Sequence, residues 1–308
     1  MKVSEIISAH KGPFPSLEIV PPLKGVSREE LLDAIRPYME FAPPFINVTC
    51  HRDEWEYTAN ADGTFSRRPV RKRVSETAVC TAIKSEFDVE VVPHILCGGS
   101  TAEETENLLN DLKFLGIDNV MALRGDCLIG ERRFTPEPNG YSYANELVEA
   151  IQSFSETSGK DFCIGVAGYP EKHFEAPNLE TDIKNLKRKV DAGADFIITQ
   201  MFFDNSVFYA FRDKCRDAGI EVPIIPGLKP LSNAKQLSLI PEAFSIDIPQ
   251  ELVSEMTAHA DDKEACYLIG QEWCAAQCED LLKHGVPAVH FYTMGKPGNI
   301  INILKKNF

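Results

Sequence analysis

Glu18 is the one acidic residue of an otherwise apolar segment, Leu17-Glu18-Ile19-Val20, which runs into Pro21 and Pro22. A carboxyl among apolar side chains loses the solvation of its charged form, so its pKa rises and it suits general-acid work near neutral pH. A Glu bonded to neighbouring backbone is the structural alternative. Arg124 and Asp126 flank Gly125 in ALRGD, where the missing Cβ lets backbone approach a ligand closely; a plain ion pair is the simpler reading. Lys187, Arg188 and Lys189 follow Asp182 and Asn185. Such a basic cluster neutralises a pyrophosphate if it stands at the mouth of a site, and is otherwise a solvated helix face. Cys274 and Cys278 are four apart, but no second Cys or His pair matches them, so they read as buried thiols and no metal is expected. His290 reads as core-facing, and the run RRPVRKR (67–73) as solvated charge in a long polar loop.

Eight apolar runs of strand length must position these residues: 16–20 (SLEIV), 45–49 (FINVT), 89–97 (VEVVPHILC), 119–125 (NVMALRG), 162–169 (FCIGVAGY), 196–203 (FIITQMFF), 222–229 (VPIIPGLK) and 288–294 (AVHFYTM). Their apolar residues are continuous instead of alternating, as strands buried on both faces of a parallel sheet require. Amphipathic helices lie between them, one opened by a Thr101/Glu104 capping box and one placed after Thr181. Gly116, Gly193, Gly219 and Gly285 each sit between a helix and the next strand, as left-handed caps do. The pattern predicts an α/β fold, a (β/α)8 TIM barrel forming a single domain. A doubly wound open sheet is the alternative, against which no Gly-x-Gly-x-x-Gly follows the first strand. A barrel carries its site at the carboxyl ends of its strands, and nearly every run ends in a polar residue: Glu18, Thr49, His94, Arg124 with Asp126, Tyr169, Gln200, Lys229 and Tyr292.

Composition bounds the partners. Over 308 residues, 32 Lys and Arg stand against 46 Asp and Glu, a formal net charge of −14 that argues against nucleic-acid binding. No run reaches the length of a membrane span and no signal peptide is visible, so a cytoplasmic protein without a membrane partner is expected. The nine cysteines are scattered and odd in number, which suits reduced thiols.

The motifs LEIVPP, NVT, PHILC, ALRGD, GYPEKH, NLKRKVDAGAD, TQMFFD, IIPGLKPLS and HFYT occur in this order along essentially the whole chain. Together they resemble the methylenetetrahydrofolate reductases, in the short bacterial form made of the flavin-binding catalytic barrel alone. The resemblance implies that residues 1–308 form one FAD-binding barrel with no separate regulatory domain. It implies FAD contacts at Thr49, Cys50, His94, Arg124, Gly125, Asp126, Ala144, Tyr169, His173, Ala176, Asp182, Asn185, Arg188 and Lys189. Glu18 is implied as catalytic acid and Asp126 as a second catalytic residue that also meets folate, with Gln200, Gln236, Tyr292 and Lys296 as further folate contacts.

The implied reaction is ping-pong. NADH or NADPH gives hydride to flavin N5 and leaves, and 5,10-methylenetetrahydrofolate then accepts it to become 5-methyltetrahydrofolate, which feeds methionine synthesis. A homo-oligomer is implied as well. The chain departs from the family at Met294-Gly295-Lys296, where Leu-Asn-Arg is usual, and at Ile240, which aligns with a ligand-covering phenylalanine; its 52–74 loop is also long. A related flavin barrel such as a proline dehydrogenase, and a non-catalytic barrel that binds folate or flavin, are the competing readings.

Overall fold

The computed structural model describes residues 1–127, 133–293 and 298–308. Its strands are β1 (Phe14–Ile19), β2 (Phe45–Val48), β3 (Glu54–Ala59), β4 (Phe65–Val70), β5 (Glu90–Leu96), β6 (Asn119–Leu123), β7 (Cys163–Gly168), β8 (Phe196–Met201), β9 (Ile224–Leu228) and β10 (Ala288–Tyr292). All except β3 and β4 are parallel and close into one barrel in the order β1-β2-β5-β6-β7-β8-β9-β10. The eight apolar runs are the eight barrel strands. The fold is therefore the expected TIM-type α/β barrel.

The helices are α1 (Val3–Ala9), α2 (Arg28–Ile35), α3 (Glu76–Phe87), α4 (Ala102–Phe114), α5 (Ala144–Ser158), α6 (Leu179–Asp191), α7 (Asn205–Asp217), α8 (Gln236–Phe244), α9 (Gln250–Ala258), α10 (Lys263–Lys283) and α11 (Gly298–Asn307). Their apolar faces and the outward side chains of the strands form one large buried cluster around the barrel. Thr101 opens α4 with the expected box, its hydroxyl accepting from the Glu104 N–H at 3.2 Å while the Glu104 carboxylate accepts from the Thr101 N–H at 2.8 Å. The helix expected after Thr181 starts earlier, at Leu179, because Asn178 caps it and accepts from the Thr181 N–H at 2.8 Å. Gly116, Gly193, Gly219 and Gly285 all have positive φ, as expected of left-handed caps.

Two features differ from the sequence reading. The 52–74 segment is not plain loop, since β3 and β4 pair antiparallel across a turn at Asn60–Thr64. The alternation Glu-Trp-Glu-Tyr before Asp62-Gly63 was the available hairpin signal. The link from β9 to α10 also carries two helices, α8 and α9, packed over Met201, Phe203 and Leu231.

Inside the barrel the side chains fall into an apolar floor and a polar upper part. Phe14, Phe45, Val92, Met121, Cys163, Phe196 and Ile225 pack together with Val3 and Ile6 of α1, which plug the amino-terminal end. Gly165 belongs to this packing because a Cβ there would meet the Phe196 ring at 2.4 Å and the Met121 sulfur at 2.8 Å. Above the floor the register sets Ser16 beside His290, and Glu18 between Asn47 and Tyr292. Gly165→Ala is expected to overpack the floor and lower the unfolding free energy by about 1–3 kcal/mol, measurable by urea denaturation of the intact chain.

Candidate active site

The polar upper part opens into a cavity of about 310 Å³ lined by Glu18, Thr49, Cys50, His94, Arg124, Gly125, Asp126, Tyr169, His173, Gln200 and Tyr292, all expected from the sequence. Glu18 is the penultimate residue of β1 and is only 14% exposed at its side chain. Burial pushes its carboxyl up to about 8. Among the described residues no cation offsets this effect. His94 Nε2 lies 3.8 Å from Glu18 Oε2, and burial together with the nearby His51 pushes that imidazole down to about 3. A neutral histidine provides no countercharge, so Glu18 remains a carboxylic acid at neutral pH. Thr293 fixes its backbone, donating from Oγ1 to the Glu18 carbonyl at 2.7 Å.

The neighbouring polar groups are partly unsatisfied. Asn47 Nδ2 lies 3.3 Å from His94 Nε2, whereas its buried Oδ1 has no partner. His290 is buried as expected, with Nδ1 on Ser16 Oγ at 2.9 Å and Nε2 without a partner, yet it also lines the cavity. Buried polar atoms without partners are uncommon, and a ligand in the cavity would account for these two. Tyr292 donates to the Thr199 carbonyl at 2.6 Å, and its ring is admitted by Gly227, whose Cβ would lie 2.7 Å from it. Gln200 Oε1 accepts from the Met201 N–H at 2.9 Å, which turns its amide donors toward other partners.

A second cavity of about 430 Å³ adjoins the first and shares Arg124, Tyr169 and His173 with it; Ala144, Ala176, Asp182, Asn185, Arg188 and Lys189 complete the expected set. Helix α6 divides the basic cluster. Arg188 and Lys189 face the groove, while Lys187 pairs with Asp191 along the helix surface. Burial pushes Lys189 down to about 8, against Asp182, which raises it, and its ammonium donates to the Ala167 carbonyl at the end of β7. Asp182 Oδ2 accepts from the His173 N–H at 2.9 Å and so ties the GYPEKH loop to the first turn of α6. Burial and Arg124 push His173 down to about 4.

Some site residues were not anticipated. Glu175 pairs with Arg124, whose guanidinium also stands 5.0 Å from the Phe134 ring centre. Asn47 shares the inward face of FINVT with Phe45 and Thr49, a period-two signal that could have revealed it. Ile240, at the family's phenylalanine position, lies on the buried face of α8, and Phe244, one turn later, lines the inner cavity. Gln236 lines neither cavity; its side-chain oxygen accepts from the Ser232 N–H at 2.7 Å. Lys229, at a strand end, also lines neither and is buried, which pushes it down to about 8. Lys296 falls outside the described residues. Cys274 and Cys278 are buried thiols whose pKa values burial raises.

The buried carboxyl has a thermodynamic signature. Its pKa in the fold, about 8, lies above its ordinary 4.5, so its contribution to stability is fully present below 4.5 and is lost as pH rises toward 8. Each pH unit in that window costs about 1.4 kcal/mol at most. Glu18→Gln has no such proton to lose, so its stability relative to the native chain should climb by about 1 kcal/mol per unit from weakly acidic to neutral pH. Urea unfolding of both proteins across that range measures the divergence.

The sequence profile of methylenetetrahydrofolate reductase matches residues 2–307. The chain is 34% identical over 281 residues to the 5,10-methylenetetrahydrofolate reductase of Escherichia coli (strain K12), covering 91% of this chain and 86% of that protein. It is 32% identical over 298 residues to methylenetetrahydrofolate reductase (NADH) 1 of Arabidopsis thaliana, covering 94% of this chain but 47% of that one, so it spans about half the plant protein. A solved structure of an uncharacterized Clostridium thermocellum protein that binds two copies of 5-methyl-5,6,7,8-tetrahydrofolic acid matches with a TM-score of 0.59 and 14% identity over 98% of both chains, a likeness of fold alone. The profile runs through both cavities and all eight barrel strands, and the chain belongs to the methylenetetrahydrofolate reductase family.

Proposed function

We propose that this protein reduces 5,10-methylenetetrahydrofolate to 5-methyltetrahydrofolate with FAD as bound cofactor and NADH or NADPH as reductant. The observation that carries the reading is a carboxyl kept protonated at neutral pH, in a cavity that opens onto a cationic groove. The residues present fit FAD. Arg124, Arg188 and Lys189 suit its pyrophosphate, and the unpartnered Asn47 Oδ1 is a buried acceptor that an N–H of the flavin ring would satisfy. FAD, when bound, supplies the group that takes hydride from the nicotinamide and gives it to folate.

The chain's own residues do the rest. Glu18, as an acid, delivers a proton to folate N10, so that the five-membered ring opens to an electrophilic iminium. Asp126, held in place by its neighbours Gly125 and Arg52, accepts from pterin N–H groups and sets negative charge beside the flavin site. Gln200 and Tyr292 border the same space and orient the folate, and Phe244 offers an apolar surface at its edge. Nicotinamide and folate would share the one cavity bordered by Glu18, Gln200 and Tyr292, and a shared cavity favours departure of the nicotinamide before folate enters and hence ping-pong turnover. Among the described residues no helix is long and apolar enough to cross a membrane, and the reading places the reaction in the cytoplasm, upstream of methionine synthesis.

Two outcomes follow. Glu18→Gln keeps shape and a hydrogen-bond donor but has no acidic proton. Flavin reduction by NAD(P)H should therefore survive, while reoxidation by methylenetetrahydrofolate falls by about 10²-fold or more; anaerobic single-turnover traces of each half-reaction resolve this, and equal slowing of both would assign Glu18 to binding instead. Lys189→Ala should weaken FAD retention by about 10- to 100-fold through loss of a charge-assisted hydrogen bond, whereas Lys72→Ala, in the exposed hairpin, should leave it unchanged. Release of FAD followed by fluorescence compares the two.

A further inference from the structure

The loop that brings Tyr169 and His173 to both cavities also carries a carboxylate bound elsewhere. Pro170 and Glu171 are the central residues of a turn closed by the Lys172 N–H on the Tyr169 carbonyl at 3.0 Å. Pro170 presets the backbone of such a turn. Glu171 is half-buried and lines neither cavity. Its Oε2 accepts from the Asp247 N–H at 2.5 Å, a contact across 76 residues of sequence. Burial pushes its carboxyl up to about 7, the Asp247 N–H opposes the rise, and the carboxylates of Asp247 and Asp204 add to it. A half-buried acid beside two further acids is a cost to stability of the kind that functional positions carry.

Asp247 lies just past α8, the helix whose last residue, Phe244, lines the inner cavity. That helix is weak in itself. Pro241 lies in its interior, where a proline withholds an amide from the helix. Its end at Ser245 has a left-handed φ of 54°, a conformation that glycine or asparagine usually supplies. Two contacts hold the chain beyond it. Ile246 joins the apolar cluster of Met201, Leu231 and Leu252, an attraction without direction, whereas the Glu171 carboxylate fixes the Asp247 amide in distance and angle. The second contact ties the end of α8 to the turn between Tyr169 and His173, so one carboxylate couples the apolar edge of the inner cavity to two residues that line both cavities.

We propose that Glu171 is a positioning residue: its bond to the Asp247 amide holds the end of α8 at the barrel mouth and thereby sets Phe244 against folate, a role that rests on the reductase reading above. Hydrogen exchange of the purified full chain tests the tie, and steady-state kinetics test its consequence. Glu171→Ala should speed amide exchange in residues 236–247 by about 10-fold or more, the loss of one hydrogen bond to a charged group. It should raise KM for methylenetetrahydrofolate by about 10-fold with little change in kcat. Glu171→Gln keeps a side-chain carbonyl for the same amide and should restore both. Phe244→Ala should raise KM as well, and adding Glu171→Ala to it should raise KM no further, because the carboxylate acts through the ring. Circular dichroism like that of the native barrel confirms that each variant is folded. Exchange needs no turnover, so a native chain that lacks reductase activity but loses protection in Glu171→Ala would overturn the functional reading while upholding the tie. Unchanged exchange in Glu171→Ala, or faster exchange with a native KM, would overturn the proposal.

Discussion

The site depends on the burial of Glu18 without a countercharge among the described residues. Its carboxyl is held near 8 by desolvation alone, and that condition survives only because the adjoining His94 is itself too deeply buried to take a proton. A cation in its place would pair with the carboxylate and pull the acid back toward its ordinary range. The barrel keeps the two chemistries apart. Positive charge is gathered where Arg124, Arg188 and Lys189 line the groove, and the neutral acid sits at the end of β1 among Asn47, His94 and Tyr292. Two of the buried polar atoms left without partners, Asn47 Oδ1 and His290 Nε2, belong to residues that line the same inner cavity. Their cost to stability is of the kind that functional sites carry.

Much of this arrangement was legible because the barrel turns sequence order into position. Continuous apolar runs announced buried parallel strands, and the polar residue closing each run reached the mouth in most cases. Lys229 did not, since a strand end fixes the height of a residue and not the direction of a long side chain. The basic cluster shows the same limit on a helix. Lys187 is adjacent to Arg188 in sequence but faces away from the groove, because successive residues are rotated by about 100° around a helix axis.

Other features depended on contacts that only tertiary structure creates. Gln236 lines neither cavity because its side chain turns back on the Ser232 N–H four residues earlier, closing the start of α8. Ile240 is drawn into the cluster beneath α8, and the aromatic surface at the cavity comes from Phe244. Glu175 became visible as the partner of Arg124 only when the GYPEKH loop folded against the end of β6. The hairpin was missed for a different reason. Its alternation of charged and aromatic residues looks like solvated loop unless the Asp62-Gly63 turn is read together with the residues that flank it.

The central claim, that burial alone keeps Glu18 protonated, is tested most directly by infrared spectroscopy of its carboxyl across pH, with Glu18→Gln identifying the band. The account predicts a carboxylic-acid carbonyl band that persists at neutral pH and is lost near pH 8. A band already replaced by carboxylate in the ordinary range of an exposed glutamate would contradict it.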